Sequence, residues 1–369
     1  MMFTFHHPVE IKFGEGIISQ INEIAEAKGY RRLIVVSSNS QIKNGTTEFI
    51  NTQLGERVKA LVSDIEPNPS LENVSAIVEA MNEHNAHAVV AIGGGSAMDA
   101  SKAAAAAYMQ DIAMEDLLEH DDFTRALPVI AIPTTSGSAS EVTAASIISD
   151  KKKELKVPLI GPALYPQTAV VDPELTLTCP PGVTAVSGID ILCHALDCLG
   201  SVKHNPVSDA LAIRASKLAF ENLLAAYTES SNREARKNLS LASMLAGMAF
   251  SQTGTSGSHA TSYYLTSHYG VPHGEACAFT MDAWFVINAE ANPELHQHAR
   301  DIGFDDAAAL SEAFNALKRQ MGLAMTFKDL DISRGDIPEI AEKSMQPANM
   351  QNNIAQLSKD EIVEMLEKK

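Results

Sequence analysis

Between residues 33 and 175, short β-branched apolar runs alternate with amphipathic helical stretches, and this alternation restricts the fold more than any other feature of the chain. The runs fall at 33–36, 58–62, 88–92, 128–132 and 169–171, each bounded by turn-forming residues. Continuous apolarity over so few residues predicts strands covered on both faces, as in a parallel sheet. Val74, Ile77, Val78 and Met81 recur at i, i+3, i+4 and i+7, one stripe of an intervening helix. Strands alternating with helices predict an α/β fold with a doubly wound parallel sheet. Its ligands belong beyond the carboxyl ends of the strands.

From about residue 182 the strand pattern stops, and Ala/Leu-rich helical stretches take over at 207–226, 233–249 and 307–321. Cys179-Pro180-Pro181-Gly182 interrupts both periodicities. We therefore expect an α/β domain over 1–181 and an all-helical domain over 182–369, and the 369-residue length suits two domains. Asp and Glu outnumber Lys and Arg by 46 to 28, a net charge of −18, so nucleic acid is not an expected partner. No single apolar run reaches the roughly 18 to 20 residues of a membrane span. The N-terminal residues lack a basic segment followed by an apolar one, so neither secretion nor membrane insertion is expected. Four cysteines, Cys179, Cys193, Cys198 and Cys277, form no CxxC pair and suit reduced thiols in a cytoplasmic protein.

Two strand ends carry ligand-binding signals. The 88–92 run leads into Gly93-Gly94-Gly95-Ser96, and a helix opens with Ala97-Met98-Asp99. Glycines there let the backbone approach a ligand, and a helix start presents unpaired N–H groups, so the turn suits a pyrophosphate. The 128–132 run ends in Pro133-Thr134-Thr135-Ser136-Gly137-Ser138-Ala139-Ser140-Glu141, whose hydroxyls can bind phosphate or ribose. A plain glycine turn and a helix-capping loop remain the structural alternatives. Together the two loops point to a nucleotide.

A second constellation lies in the helical half. Asp190 and His194 are four apart among apolar neighbours, which places both on one buried helical face. A buried carboxylate needs a partner or a metal. His259 and His273 follow, and one carboxylate with three imidazoles suits Fe(II) or Zn(II) and suits Mg(II) poorly. Spacing does not decide which later histidines join the pair, and an isolated Asp–His hydrogen bond is the competing reading. His268 is expected to line a cleft, and His296 and His298, in a polar stretch, to lie at the surface.

These motifs together resemble the iron-containing (group III) alcohol dehydrogenase family over nearly the whole chain. Glu66-Pro67-Asn68-Pro69, Gly93–Ser96 with Asp99 and Lys102, the 133–143 segment, Asp172-Pro173-Glu174-Leu175-Thr176, Asp190-x-x-x-His194, and His259 with His273 all match its pattern. The resemblance implies a dinucleotide-binding α/β domain, a helical metal-binding domain, and hydride transfer between nicotinamide and a small alcohol or aldehyde. It implies Asp190, His194, His259 and His273 as ligands of one Fe(II), with Zn(II) as the substitute. It implies Gly94, Gly95 and Ser96 at the pyrophosphate, with Asp99 orienting that loop or the nicotinamide amide. Thr134, Thr135 and Ser138 would line the cofactor cleft, Lys156 would sit near the nicotinamide ribose, and Asn68, Thr143 and Leu175 complete the implied cofactor set. Family relatives suggest a homo-oligomer, most simply a dimer. A dehydroquinate-synthase-like lyase using the same cofactor and metal is the alternative.

Three positions depart from the pattern. Ala139 replaces a glycine, and the loop keeps its shape if that residue holds φ below zero. Many members carry an aspartate where this chain has Ser38. Without that acid, Ser38 and Asn39 can donate to a 2′-phosphate, so NADP(H) is favoured over NAD(H). Tyr263 replaces a histidine of the usual proton relay, leaving Tyr263 or His268 for that task. The segment His259 to Thr266 looks more like the hydroxyethylphosphonate dehydrogenase subgroup.

Overall fold

Among the described residues, eight strands form in the first half of the chain: β1 (Glu10–Phe13), β2 (Leu33–Ser37), β3 (Val58–Val62), β4 (Ala88–Gly93), β5 (Val129–Pro133), β6 (Ala145–Asp150), β7 (Leu155–Ile160) and β8 (Thr168–Val171). The structure is a computed structural model and describes residues 2–151 and 155–369. Six strands make one sheet in the order β1-β8-β5-β4-β2-β3, all parallel. The predicted doubly wound parallel sheet is therefore present. Strands β2, β4 and β5 are buried at every residue, which is why their sequences lack alternation. β3 lies at the edge and is only partly covered. The antiparallel β6–β7 hairpin was not anticipated from sequence.

Helices α1 (Ile21–Ala27), α2 (Asn39–Lys43), α3 (Thr46–Leu54), α4 (Leu71–His84) and α5 (Gly95–Gln110) connect these strands. The α4 stripe is real: Val74, Ile77 and Met81 are fully buried, with Val78 packed beside them. From β2 the chain steps outward to β3, then returns past β2 to β4 and continues the other way to β5 and β8. That reversal makes the β2/β4 junction the topological switch point, where loops from adjacent strand ends diverge and leave a crevice.

The second unit is helical: α6 (Pro181–Leu199), α7 (Pro206–Thr228), α8 (Arg233–Thr253), α9 (Gly257–Tyr269), α10 (His273–Ala291), α11 (Glu294–Ile302), α12 (Ala307–Met321), α13 (Ile337–Ser344), α14 (Ala348–Gln351) and α15 (Lys359–Glu367). Contacts divide the chain into His7–Cys179 and Pro180–Lys369, the residues preceding His7 belonging with the second. α6 is central to this unit and packs on α7, α8 and α10. By length and composition alone α6 is apolar enough to cross a bilayer, although Asp190 and Asp197 interrupt its apolar run, and 78% of its most apolar window is buried in the protein. Its apolarity serves the helical core. All four cysteines are buried and outside any disulfide.

Candidate functional site

The sheet unit builds a cradle at the switch point. β4 ends at Gly93, whose φ of 153° lies outside the usual range of a side-chain-bearing residue. Gly94 then caps α5, and no acidic residue stands in that helix's first turn to compete for an anion. A Cβ on Gly93 would lie 3.3 Å from Ser38 Oγ, one on Gly94 3.2 Å from Thr135 Oγ1, and one on Gly95 2.8 Å from Ser138 Oγ. Ser38, the glycine turn, Thr135 and Ser138 thus converge, from the ends of three adjacent strands. The Asn68 N–H donates to Ser96 Oγ at 3.2 Å, and the Thr134 N–H to the Gly93 carbonyl at 2.9 Å. Free N–H groups at the start of α5 and a floor without side chains fit a pyrophosphate.

Asp99 and Lys102 brace this cradle from below. Asp99 accepts from Ser140 Oγ and, at 3.0 Å, from the Ile147 N–H. Lys102 Nζ donates to the carbonyls of Ser140 at 3.0 Å and Thr143 at 3.3 Å. Burial pushes the Asp99 carboxyl up and the Lys102 ammonium down, against their mutual attraction across 3.5 Å. Glu141 is also buried and is pushed up to about 7 by that burial, with Lys102 opposing. Ala139, in the same loop, has φ of 52°. The negative φ that would make an alanine easy here is not adopted: the loop keeps the glycine-type conformation with an alanine in it. Leu175 lies in a turn after β8 whose start is capped by the Asp172 carboxylate, and Lys156 pairs opposite Ser149 in the β6–β7 hairpin.

On the second unit, Asp190, His259, His273 and Cys277 each turn one donor atom to a common point, all within 4.8 Å of one another. Asp190 comes from α6, His259 from the first turn of α9, and His273 opens α10 with Cys277 one turn on. Two glycines permit this approach. A Cβ on Gly274 would fall 2.0 Å from the Val186 carbonyl oxygen of α6, and one on Gly257 would fall 2.5 Å from the Trp284 ring. His194 flanks the group, its Nδ1 3.8 Å from Asp190 Oδ2 and its ring stacked on Phe250.

Asp190 Oδ1 and His259 Nε2 are both buried without a hydrogen-bond partner, 3.8 Å apart. The other nitrogen of His259, Nδ1, donates to Asp197 Oδ2 at 2.7 Å. That bond makes Nδ1 a donor and leaves Nε2, on the Asp190 side of the ring, as the nitrogen a metal would take. Asp197 also accepts from the Ser256 N–H at 2.9 Å. Burial works against ionised Asp190, but His194, His273 and His259 outweigh it and hold its carboxyl below the usual range. One carboxylate, imidazoles and a sulfur form a donor set for a borderline divalent ion such as Fe(II) or Zn(II). The residues present fit a metal.

Sequence reasoning missed Asp197 and Cys277, although both were within reach. Asp197 lies seven residues after Asp190 on α6, and Cys277 four after His273 on α10. Tyr263 lies one turn after His259, its ring parallel to that of His273 with 6.5 Å between centroids. Burial pushes its phenol up. His268 does not join this group; it is exposed at the last turn of α9 and stacks on Tyr264. His298, expected at the surface, is instead 7% exposed.

Residues 8–173 match the family described as Iron-containing alcohol dehydrogenase, and residues 184–369 match Fe-containing alcohol dehydrogenase family, C-terminal. Over 372 residues the chain is 32% identical to Alcohol dehydrogenase 4 of Saccharomyces cerevisiae, covering 99% of this chain and 97% of that protein. It is 30% identical over 383 residues to the sulfoacetaldehyde reductase of Bilophila wadsworthia, covering 100% and 99%. The crystal structure of sulfoacetaldehyde reductase from Bifidobacterium kashiwanohense in complex with NAD+ matches with a TM-score of 0.96 at 36% identity, covering 100% of this chain and 98% of that one.

Proposed function

The chain belongs to the iron-containing alcohol dehydrogenase family, metal-dependent NAD(P)-linked oxidoreductases of alcohols and aldehydes, and from that premise we propose that Asp190, His194, His259 and His273 hold its Fe(II). The observation that carries this is the unpartnered pair Asp190 Oδ1 and His259 Nε2, with Asp197 holding the far side of the imidazole. Leaving two such atoms buried costs about 1–3 kcal/mol each, which a cation removes. Zn(II) suits the same donors, and the nearby Cys277 sulfur favours such borderline ions over Mg(II). The lyase alternative gives way to the oxidoreductases that match the chain from end to end.

When bound, the ion supplies Lewis acidity to an alcohol or carbonyl oxygen and the dinucleotide supplies or takes the hydride. The protein's own part is placement. Gly94, Gly95 and Ser96 take the pyrophosphate at the α5 start, with Thr134, Thr135 and Ser138 around it and Asn68 holding the Ser96 hydroxyl. Asp99 acts on the loop, through Ser140 and the Ile147 N–H. Tyr263 is the group proposed to hold the transferred proton, since it stands beside His273 and its phenol stays protonated. His268, exposed and stacked on Tyr264, does not take that role.

The preference for NADP(H) rested on the lack of an acid after β2. Across space an acid is nonetheless there: Asn39 Nδ2 donates to Asp64 Oδ1, from the segment after β3, at 2.7 Å. One of the two Asn39 amide hydrogens is thereby engaged, and the carboxylate repels a 2′-phosphate. We assign NAD(H) as the preferred cofactor. For substrate we assign a short aldehyde with an anionic head group, sulfonate or phosphonate; the likeness to sulfoacetaldehyde reductases over the full chain supports it.

The test is an anaerobic assay of Fe(II)-loaded protein, following NADH and NADPH oxidation separately against sulfoacetaldehyde, phosphonoacetaldehyde and uncharged short aldehydes. Faster NADH oxidation with a charged aldehyde is expected. Asp64→Asn should raise kcat/KM for NADPH relative to NADH, and an unchanged ratio would sink the cofactor argument. Asp190→Ala should lose both bound iron and turnover; a variant that keeps iron at the wild-type level overturns the ligand set.

A further inference from the structure

The helical unit holds a second group of metal-type donors that involves none of the residues above. His204, in the turn between α6 and α7, Asp209, in the first turns of α7, and His298, on α11, each offer one donor atom within 4.8 Å of the others. His298 is 7% exposed, and neither of its ring nitrogens has a hydrogen-bond partner. A neutral imidazole has one N–H to place and one lone pair to fill, so burying both unmet is costly. His204 and Asp209 are already organised around this ring. His204 Nδ1 lies 3.1 Å from Asp209 Oδ2, and the two imidazole rings meet edge-on, 6.4 Å apart.

The local backbone is held rigid. Asn205 caps α7 through its side chain, accepting from the N–H groups of Val207 and Ser208, and Pro206 follows at the first helical position. The Asp209 N–H donates to the Asn205 carbonyl at 2.9 Å, and that of His204 to the Ser201 carbonyl at 3.1 Å. His296, two residues before His298, turns the opposite way and accepts the Ala307 N–H. The orientation of His298 into the cluster is thus specific to that position on α11.

We propose that His204, Asp209 and His298 form a second divalent-metal site, a structural clamp of the Zn(II) class that ties α11 to the start of α7. Two imidazoles and one carboxylate suit Zn(II), with donor distances of about 2.0–2.2 Å and tetrahedral coordination. The side chains of His204 and Asp209 are 14% and 10% exposed, enough for a water to complete the fourth position and for the ion to enter. Drawing the donors in asks for a modest rotation of the His298 ring. A trapped water bridging the same three groups is the competing occupant, and it makes a different prediction for metal content.

The experiment is elemental analysis after dialysis of the full-length protein against Zn(II), with thermal melts on the same samples. Wild-type protein should hold two Zn(II) per chain. Asp190→Ala should hold one, and that remaining ion should raise its Tm by several degrees. His204→Ala and His298→Asn should each hold one and keep wild-type reductase activity. Asp190→Ala combined with His204→Ala should hold none and show no Zn(II)-dependent rise in Tm. His204 is the less buried of the two histidines, so its removal keeps the test decisive if the His298→Asn protein does not fold. One Zn(II) in the wild type, or two retained by either histidine variant, overturns the site.

Discussion

Two residues in one loop carry opposite kinds of stress. Ala139 holds φ of 52°, where a Cβ costs roughly 1–2 kcal/mol. Ala139→Gly should relieve that strain, less the added chain entropy of glycine, and raise stability by about 1 kcal/mol in a chemical denaturation series. A loss of stability would mean that the alanine methyl packs to advantage. Glu141 stores charge stress instead, its carboxyl pushed up to about 7 from an ordinary 4.5 by burial. A raised carboxyl binds its proton more tightly in the folded state, so its contribution to stability is full below pH 4.5 and is lost as pH rises through 7. At 1.36 kcal/mol per pH unit the loss is about 3 kcal/mol, and Glu141→Gln should remove it. Melting curves of both proteins from pH 4.5 to 8 would show this as a wild-type decline that the variant lacks; parallel curves would rule it out. Residue-level chemistry was legible where partners share a helix. Spacing put Asp190 and His194 on one buried helical face without deciding between a metal and a plain hydrogen bond, while His259 and His273 joined them only through family resemblance. Asp64 escaped because its contact with Asn39 crosses from one strand end to the next.

At the level of elements, the proposed metal cluster depends on how closely α10 can approach α6. Gly274 sets that distance, since its Cβ would overlap the Val186 carbonyl and press on the Asp190 Cβ at 2.9 Å. Gly274→Ala should push the two helices apart, costing about 1–3 kcal/mol as overpacking does. It should also displace His273 from Asp190, so metal retention against a chelator should fall with it. A variant that loses stability yet binds metal at full strength would show that the helices yield elsewhere. The strands and helices that bury a continuous face were readable from sequence: 33–36, 58–62 and 88–92 differ from the observed strands by at most one residue. The β6–β7 hairpin was not. β6 is buried only at alternate positions and β7 contains Pro158. Short, partly exposed or proline-bearing strands owe their conformation to pairing partners that no local pattern announces.

For the whole molecule, the two proposed ligand-binding regions fall in different units: the cradle within His7–Cys179, the Asp190 cluster within Pro180–Lys369. Ligands that bind only folded protein stabilise it by mass action, about 2.7 kcal/mol at one hundred times Kd. Calorimetry should therefore show chelation lowering the transition of the helical unit and cofactor raising that of the sheet unit. A single transition moved equally by both would mean that the two units melt as one. The second unit is also built from both ends of the sequence. Near its start, the His6 N–H donates to Gln252 Oε1 at 3.0 Å and the Gln252 amide returns a bond to the His6 carbonyl at 2.8 Å. Those residues are 246 apart. At about 5–20 residues per second on a ribosome, the opening segment waits roughly 12–50 s before its partner helix has been made. In that interval the whole sheet unit is synthesised, so the newborn chain is free to fold its middle while its leading end is still unclaimed.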